Sequence, residues 1–309
     1  MTRLRQAAEN YLALRRSLGF ILDKPGRLVL DFADHLDAAG ASHITIDLAA
    51  DWAAAPAGAA PYWHWYRLSA VRGFAAYLHA FDAGHQVPPA GLLPRHGHRI
   101  APHLFTDDQV VSLMRAAWGH PVRLHAATYA TLIGLLAVTG IRPGECYRLE
   151  RDDIDLDRAR LTVVKGKYGK TRQLTLQPST VTALDTYAQH RDRLCPRPAG
   201  PSFFVTLTGS RLTPQLAGRA FRLLAGQTGL RAGPPRARPR LMDLRHTFAV
   251  STLIGWYRDG LDVDARLPVL ATWLGHVHVA STYWYLQASP ELLALAAEKA
   301  TLIPGNLKE

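Results

Sequence analysis

The chain has 309 residues, a length that suits two domains better than one. Hydrophobic residues make up 48% of it and charged residues 20%, so a sizeable core is possible and global disorder is excluded. No apolar run reaches the roughly 18 residues that a spanning helix needs, and we expect neither a membrane anchor nor a signal peptide. The only cysteines are Cys146 and Cys195, which excludes a disulfide scaffold and zinc sites built on cysteine pairs. These features predict a cytoplasmic protein.

The formal net charge is +11, and the basic residues are unevenly distributed. Residues 1–101 carry ten Lys and Arg against eight Asp and Glu, whereas residues 102–309 carry 26 against 17. Between Arg191 and Arg240 there are ten arginines and a single acid, Asp192. Such a stretch favours a polyanionic partner such as nucleic acid, although a solvated basic face has the same composition.

Apolar residues in the first part of the chain recur at helical spacing. The predicted helices cover roughly residues 2–18, 25–40, 47–55 and 62–81. Gly19 and Gly40 are stop signals for the first two, and four such helices predict a small bundle. We expect the aromatic side chains of the fourth helix, among them Trp63, Trp65 and Tyr66, to lie in its core.

A stretch rich in Pro, Gly, His and Arg follows at residues 86–103 and predicts an interdomain linker. Beyond it, Thr106 is a good helix cap, and two short strands flank a basic turn at residues 165–170. One helix is predicted to begin at Asp107, and the remaining helices are predicted near residues 125–138, 143, 179–194, 213–226, 243, 265, 281 and 289. The second domain is therefore predicted to be mainly α-helical, with a small antiparallel β-sheet.

Four local motifs occur in order along this second part of the chain. They are Thr139-Gly-Ile-Arg-Pro-Gly-Glu, the basic hairpin Lys165-Gly-Lys-Tyr-Gly-Lys-Thr-Arg, Asp243-Leu-Arg-His-Thr-Phe, and Leu274-Gly-His followed nine residues later by Tyr285. Each motif alone is weak evidence. Together, on a basic domain, they indicate phosphodiester chemistry, because two arginines and a tyrosine are groups that can clamp and attack a phosphate.

On these motifs, residues 105–300 resemble the catalytic domain of the tyrosine recombinase, or phage integrase, family. The resemblance implies a helical core-binding (SAM-like) DNA-binding domain at 1–88, a linker at 89–104 and a catalytic domain at 105–309, which close on DNA as a C-shaped clamp. It also implies double-stranded DNA as partner, a homo-oligomer that assembles as a tetrameric synapse, partner recombinases, and no metal or other cofactor. We accordingly expect a nucleoid-associated enzyme of DNA integration or transposition, encoded by a phage or mobile element.

The resemblance assigns a role to each candidate catalytic residue. Tyr285 is the nucleophile, Arg142 and Arg245 bind the scissile phosphate, and His276 contacts a non-bridging oxygen or assists proton transfer. The general acid is assigned to Lys167, with Lys165 as second choice. Glu145 is expected to buttress an arginine. The residues expected to contact the DNA backbone are Lys170, Arg172, Arg236, Arg238 and Arg240.

One position departs from the family pattern. The family has histidine three residues before the second arginine, where this chain has Met242, a side chain that can neither donate nor accept a useful proton. A slower enzyme or an inactive accessory paralogue is therefore an alternative, as is type IB topoisomerase-like relaxation.

Tyr283 and Tyr187 are rivals for the nucleophile. The apolar tail after Ser289 can pack in cis, but the resemblance favours docking on a neighbouring protomer.

Overall fold

The structure is a computed structural model, and it describes residues 3–94, 101–164, 171–231, 238–287 and 289–301. The chain divides into two compact units, Met1–Arg99 and Ile100–Glu309. Among the described residues, no helix is long and apolar enough to cross a membrane. Each unit has a hydrophobic core of its own.

The first unit is a bundle of four helices, as the sequence predicts. They are α1 (Arg3–Ser17), α2 (Asp23–Ala38), α3 (Ile46–Ala54) and α4 (Pro61–His79). Phe32 and Leu36 of α2 and Phe74 of α4 are fully buried at its centre. Thr45 caps α3 by accepting a hydrogen bond from the amide of Leu48, which satisfies one of the free donors of the first turn.

The aromatic residues at the start of α4 are less buried than expected. Trp63 and Tyr66 pack against the core from its edge, and Tyr62 is half exposed. They lie in the first turns of α4, whereas the fully buried side chains Leu68, Val71 and Phe74 come later in the helix. The predicted core residues Trp63, Trp65 and Tyr66 are therefore partly buried and lie at the edge of the core, not at its centre.

The second unit is built around α6 (Arg123–Thr139), whose side chains are apolar on nearly all sides. Helices α5 (Asp107–Trp118), α8 (Pro178–Leu194) and α10 (Leu241–Arg258) pack around it. The remaining helices are α7 (Pro143–Cys146), α9 (Pro214–Gln227), α11 (Val263–Leu274), α12 (Ala280–Tyr283) and α13 (Pro290–Thr301), with 3-10 turns at Arg151–Asp153 and Trp284–Gln287. A helix with apolar residues all round must be central, because no face of it can be left in water.

A three-stranded antiparallel sheet lies in this unit, in the order β1 (Ile154–Asp155), β2 (Arg160–Val163), β3 (Arg172–Thr175). Leu161 and Val163 of β2 are buried and Leu174 of β3 lies opposite Leu161, so the inward residues alternate as expected for a sheet with one face on the core. The basic turn predicted between β2 and β3, at residues 165–170, lies outside the described residues.

The C-terminal helix packs within its own chain. Leu292 of α13 is fully buried in a cluster with Val250 and Leu253 of α10, and Arg258 forms an ion pair with Glu291. The tail was expected to dock on a neighbouring protomer. Within this single chain α13 has a partner in cis, because α10 presents an apolar face that Leu292 fills, and docking on a neighbouring protomer stays a prediction.

Candidate active site

Arg142 lies at the junction of two helices. Gly140 ends α6 with a φ of 62°, in the left-handed region where glycine is not strained, and Pro143 opens α7. Glu145, three residues after Arg142, accepts hydrogen bonds from the Arg142 backbone amide at 3.0 Å and from its Nη1 at 2.9 Å. The guanidinium is partly exposed, so it is held in place and still accessible.

Glu145 is buried, 3% exposed, and is bound from two sides. Besides Arg142, it accepts two hydrogen bonds from the guanidinium of Arg172, at 3.2 and 2.8 Å. Burial alone raises the pKa of the Glu145 carboxyl, but the hydrogen bonds and charges of Arg172 and Arg142 outweigh it and lower the pKa to about 2. The expectation that Glu145 buttresses an arginine agrees with this geometry.

Arg245 is 3% exposed and lies in the second turn of α10. Its Nη1 donates to the carbonyl of Gly140 at 2.8 Å and its Nη2 to the carbonyl of Leu274 at 2.7 Å. Burial, and next the positive charge of Arg142, lower the pKa of Arg245 to about 10, while Tyr285 and Glu145 act in the opposite direction. Two guanidinium groups are thus close enough to repel each other, an arrangement that favours binding of an anion.

His276 is in direct contact with Arg245. Gly275 ends α11 with a φ of 69°, and the Nε2 of His276 lies 3.0 Å from the Nη2 of Arg245. Arginine can only donate hydrogen bonds, so Nε2 must be the acceptor and the ring proton is assigned to Nδ1. That proton then points at the hydroxyl of Thr282, 2.7 Å away. The two contacts fix the orientation of the ring.

Tyr285 packs against His276, the residue that binds Arg245. It is 3% exposed, and its ring stacks on that of His276 with centroids 6.0 Å apart. The rivals are placed differently. Tyr283 is 48% exposed, and Tyr187 is buried in the main core of the unit, where its hydroxyl lies 3.2 Å from that of Thr128.

The structure thus brings Arg142, Arg245, His276 and Tyr285 together, with Glu145 behind Arg142. A phenol beside two fixed guanidinium groups can act as a nucleophile towards an anionic ester that those groups bind. Met242 is 37% exposed, one turn of α10 before Arg245, which is where the missing histidine was expected to lie.

The other predicted residues differ in where they lie: some are outside the described residues, some are exposed, and one is directed inwards. Lys165, Lys167, Lys170 and Arg236 lie outside the described residues. Arg238 and Arg240 are exposed, and Arg240 forms an ion pair with Asp243 at 2.8 Å. Arg172, expected to contact DNA, is directed inwards instead, because Glu145 and the Trp273 carbonyl occupy its donors.

Thr282 was not among the residues predicted for this site, and Arg172 was predicted for a different role, contact with the DNA backbone. Thr282 is fully buried and orients His276, and Arg172 fixes Glu145. The signal available for Thr282 was its place between the predicted site residues His276 and Tyr285. No local pattern distinguishes Arg172 from the neighbouring basic residues of the hairpin motif.

Within the described residues, one group of side chains has metal-ligand spacing: His43, Asp82 and His85 in the first unit. His85 Nδ1 accepts a hydrogen bond from the Ile44 amide, so the ring proton lies on Nε2, and His43 Nε2 is 3.1 Å from Asp82. A metal would have to displace this proton and break existing hydrogen bonds. The group is better explained as a hydrogen-bonded link between the loop from α2 to α3, which contains His43, and the segment after α4, which contains Asp82 and His85.

Comparison with known proteins gives consistent matches. Residues 103–291 match the model of the phage integrase family. The chain is 42% identical over 306 residues, 97% of both chains, to y4rB of Sinorhizobium fredii (strain NBRC 101917 / NGR234), a presumptive integrase/recombinase. It is 32% identical over 233 residues to tyrosine recombinase XerC of Azotobacter vinelandii (strain DJ / ATCC BAA-1303), covering 75% of this chain and 72% of that one.

Two solved structures share the fold. The Tn1549 transposon integrase in complex with transposon right end DNA superposes with a TM-score of 0.68 over 97% of this chain and 99% of that chain, at 15% identity. The XerH site-specific recombinase bound to a palindromic difH substrate, in a post-cleavage complex, gives a TM-score of 0.65 over 88% and 77%, at 19% identity. The mainly helical architecture with a small antiparallel sheet, as predicted, is therefore the fold of these recombinases.

Proposed function

The chain belongs to the phage integrase family of tyrosine recombinases, and on that premise we propose that it cuts and rejoins DNA strands at defined sites through a 3′-phosphotyrosyl intermediate on Tyr285. The observation that carries the proposal is the stacking of Tyr285 on His276, whose ring is bound to Arg245, the arginine whose charge interacts with that of Arg142. Family membership supports recombination in general, and this geometry supports the specific roles.

The proposed reaction conserves the phosphodiester bond. The Tyr285 hydroxyl gives up its proton as its oxygen attacks the scissile phosphorus, the bond from phosphorus to the 5′ oxygen breaks, and the 5′ oxygen takes up a proton. A 5′ hydroxyl of the second strand then attacks the phosphotyrosine, and Tyr285 leaves with a proton returned to it. Because the covalent intermediate retains the energy of the ester, no nucleotide is consumed.

Arg142 and Arg245 are proposed to bind the non-bridging oxygens of the phosphate. Guanidinium presents paired donors to such oxygens and remains charged, and charge at this point stabilises the negative charge of the transition state. His276, held by Thr282 and Arg245, is proposed to contact a phosphate oxygen or to assist proton transfer.

Lys167 is proposed as the general acid that protonates the leaving 5′ oxygen, with Lys165 as the alternative. Both belong to the basic hairpin motif between β2 and β3. An ammonium on a flexible side chain is suited to this role, because it can deliver a proton and needs no metal ion.

The proposed partner is double-stranded DNA, bound by both units and recombined in a tetrameric synapse of this chain or with partner recombinases. The solved relatives named above were bound to transposon-end and difH DNA, and the excess of arginine in the second unit favours the same partner here. We further propose a nucleoid-associated protein of a mobile element.

The direct test is a nicked suicide substrate, in which the cut strand loses a short fragment and cannot be rejoined. We expect the wild-type protein to become covalently attached to DNA, and Tyr285→Phe and Arg142→Ala to give no adduct. Tyr283→Phe is the matched control and should react like wild type. Absence of any adduct would favour a DNA-binding accessory paralogue, and attachment without site preference would favour topoisomerase-like relaxation.

A further inference from the structure

The C-terminal end of α11 presents three consecutive backbone carbonyls to three arginines. The carbonyl of Trp273 accepts from Arg172 Nε at 2.7 Å and that of Leu274 from Arg245 Nη2 at 2.7 Å. The carbonyl of Gly275 accepts from Arg142 Nη2 at 3.3 Å. The last carbonyls of a helix have no partner within it and carry partial negative charge, so this end is a suitable platform for cations.

Arg172 is the member of this trio that binds Glu145 through both of its terminal nitrogens. Its three donor nitrogens are all directed inwards, Nε to Trp273 and the two terminal nitrogens to the two oxygens of Glu145, and its side chain is 11% exposed. Glu145 in turn binds the backbone and side chain of Arg142. A continuous chain of charge-assisted hydrogen bonds therefore runs from the end of α11 through Arg172 and Glu145 to Arg142.

We propose that Arg172 is a positioning residue for strand cleavage: by joining the Trp273 carbonyl to both oxygens of Glu145, it sets the orientation in which Arg142 meets the phosphate. This inference rests on the proposed function. It replaces the expected contact of Arg172 with the DNA backbone by an internal role. It also explains why a carboxylate can be tolerated beside a phosphate site, because the two arginines neutralise it.

Gly275 contributes to the position of Arg172. Its φ of 69° favours glycine, and a Cβ at this position would lie 2.6 Å from Arg172 Nη1 and 2.9 Å from its Cζ. The guanidinium of Arg172 therefore lies directly on the glycine of the Leu-Gly-His motif. An alanine here is expected to push Arg172 away from Glu145, since the end of a long side chain moves more easily than backbone.

The test compares Arg172→Gln and Arg172→Lys in the nicked-substrate assay. Lysine keeps the charge but lacks the planar fork that joins two carboxylate oxygens to a carbonyl. If Arg172 positions Arg142, both variants should form adduct more slowly by on the order of 100-fold, the effect of a catalytic group misplaced by about 1 Å. Arg158→Gln, at an arginine that is exposed and paired only with Asp155, should react at the wild-type rate.

A second measurement separates positioning from DNA contact. In the Tyr285→Phe background, the slope of log affinity against log salt should be unchanged by Arg172→Gln, whereas loss of a phosphate contact reduces it by about 0.9. A reduced slope, or wild-type rates in Arg172→Lys, would overturn the inference.

Gly275→Ala keeps the test decisive if Arg172→Gln does not fold. It should slow adduct formation, and combining it with Arg172→Lys should add little further loss, because both act through the same contact. Additive losses would contradict the shared mechanism. Failure of the wild-type protein to form adduct at all would instead refute the proposed function, and with it this role for Arg172.

Discussion

Arg142 and Arg245 are close enough at the site for their like charges to repel, and Arg245 is buried. The carbonyls of Gly140 and Leu274 and the ring of His276 hold Arg245 there, at the cost of a pKa lowered to about 10. Arg142 is instead held by a negative charge, in an ion pair with the buried Glu145. A bound phosphate would relieve the repulsion between the two arginines, so binding and positioning act in the same direction.

Replacement of Met242 tests the departure from the family pattern. Met242 is partly exposed, one turn before Arg245 on α10, so a histidine there can reach the same phosphate. A hydrogen-bonding group contributes about 1–3 kcal/mol, which corresponds to about tenfold or more in rate. We expect Met242→His to speed adduct formation on the nicked substrate by about tenfold, with Met242→Leu as the matched control. Equal rates for the two variants would show that this position does not face the phosphate.

The ion pairs of Glu145 predict how the free energy of unfolding depends on pH. The pKa of Glu145 falls from 4.5 to about 2 on folding, so its contribution to stability is complete above pH 4.5 and is lost as the pH falls towards 2. The shift corresponds to about 3 kcal/mol. We expect the free energy of unfolding of wild type to exceed that of Glu145→Gln by about this amount at pH 6, and the difference to shrink below pH 4.5.

Urea unfolding of the transition that contains Glu145, followed from pH 6 to pH 2.5, measures that difference. Glu150→Gln is the control, because Glu150 is an exposed carboxylate paired with Arg211 and should change stability by less than about 1 kcal/mol. A difference between wild type and Glu145→Gln that does not vary with pH would contradict the account.

At the scale of elements, helix ends assemble the site. The end of α6 provides the Gly140 carbonyl, the end of α11 provides those of Leu274 and Gly275, and the start of α10 places Arg245 between them. Helix ends carry the backbone groups that helices leave unpaired, so they can bind and orient ionic side chains without further residues. This explains why motifs far apart in sequence form one site.

The packing of α13 against α10 can be tested by substitution of single leucines. Leu292 is fully buried against α10, whereas the adjacent Leu293 is 49% exposed. Burial of leucine contributes about 2–5 kcal/mol relative to alanine, so Leu292→Ala should speed hydrogen exchange of the α13 amides in the free protein by at least about tenfold, and Leu293→Ala should not. Fast exchange in the wild-type protein itself would mean that α13 does not pack in cis.

Periodicity and local stop signals were sufficient to predict the helices of both units, because their apolar faces recur at 3.6 residues and glycines such as Gly140 and Gly275 end them. The motifs gave Arg142, Arg245, His276 and Tyr285, which the structure brings together. Sequence could not predict the inward direction of Arg172, since the same residue in a basic hairpin can face solvent or a buried carboxylate. The incomplete burial of Trp63 and Tyr66 could not be predicted for a similar reason, because it depends on which neighbouring element covers that face of α4.

At the scale of the whole molecule, the charge and the chemistry are concentrated in the same unit. Residues 102–309 hold 26 of the 36 basic residues, and the four clustered candidate residues lie there too. The first unit has a separate core and a nearly balanced charge. This distribution favours the second unit as the one that would carry out the proposed strand cleavage.

The central claim is that one tyrosine, Tyr285, becomes bonded to DNA. Digestion of the adduct formed on a nicked substrate, followed by mass spectrometry of the nucleotide-bearing peptide, identifies that residue directly. The account predicts a single modified peptide with the 3′-phosphoryl group on Tyr285 and none on Tyr283 or Tyr187. Attachment at either of those residues, or at a residue outside the cluster of Arg142, Arg245 and His276, would contradict it.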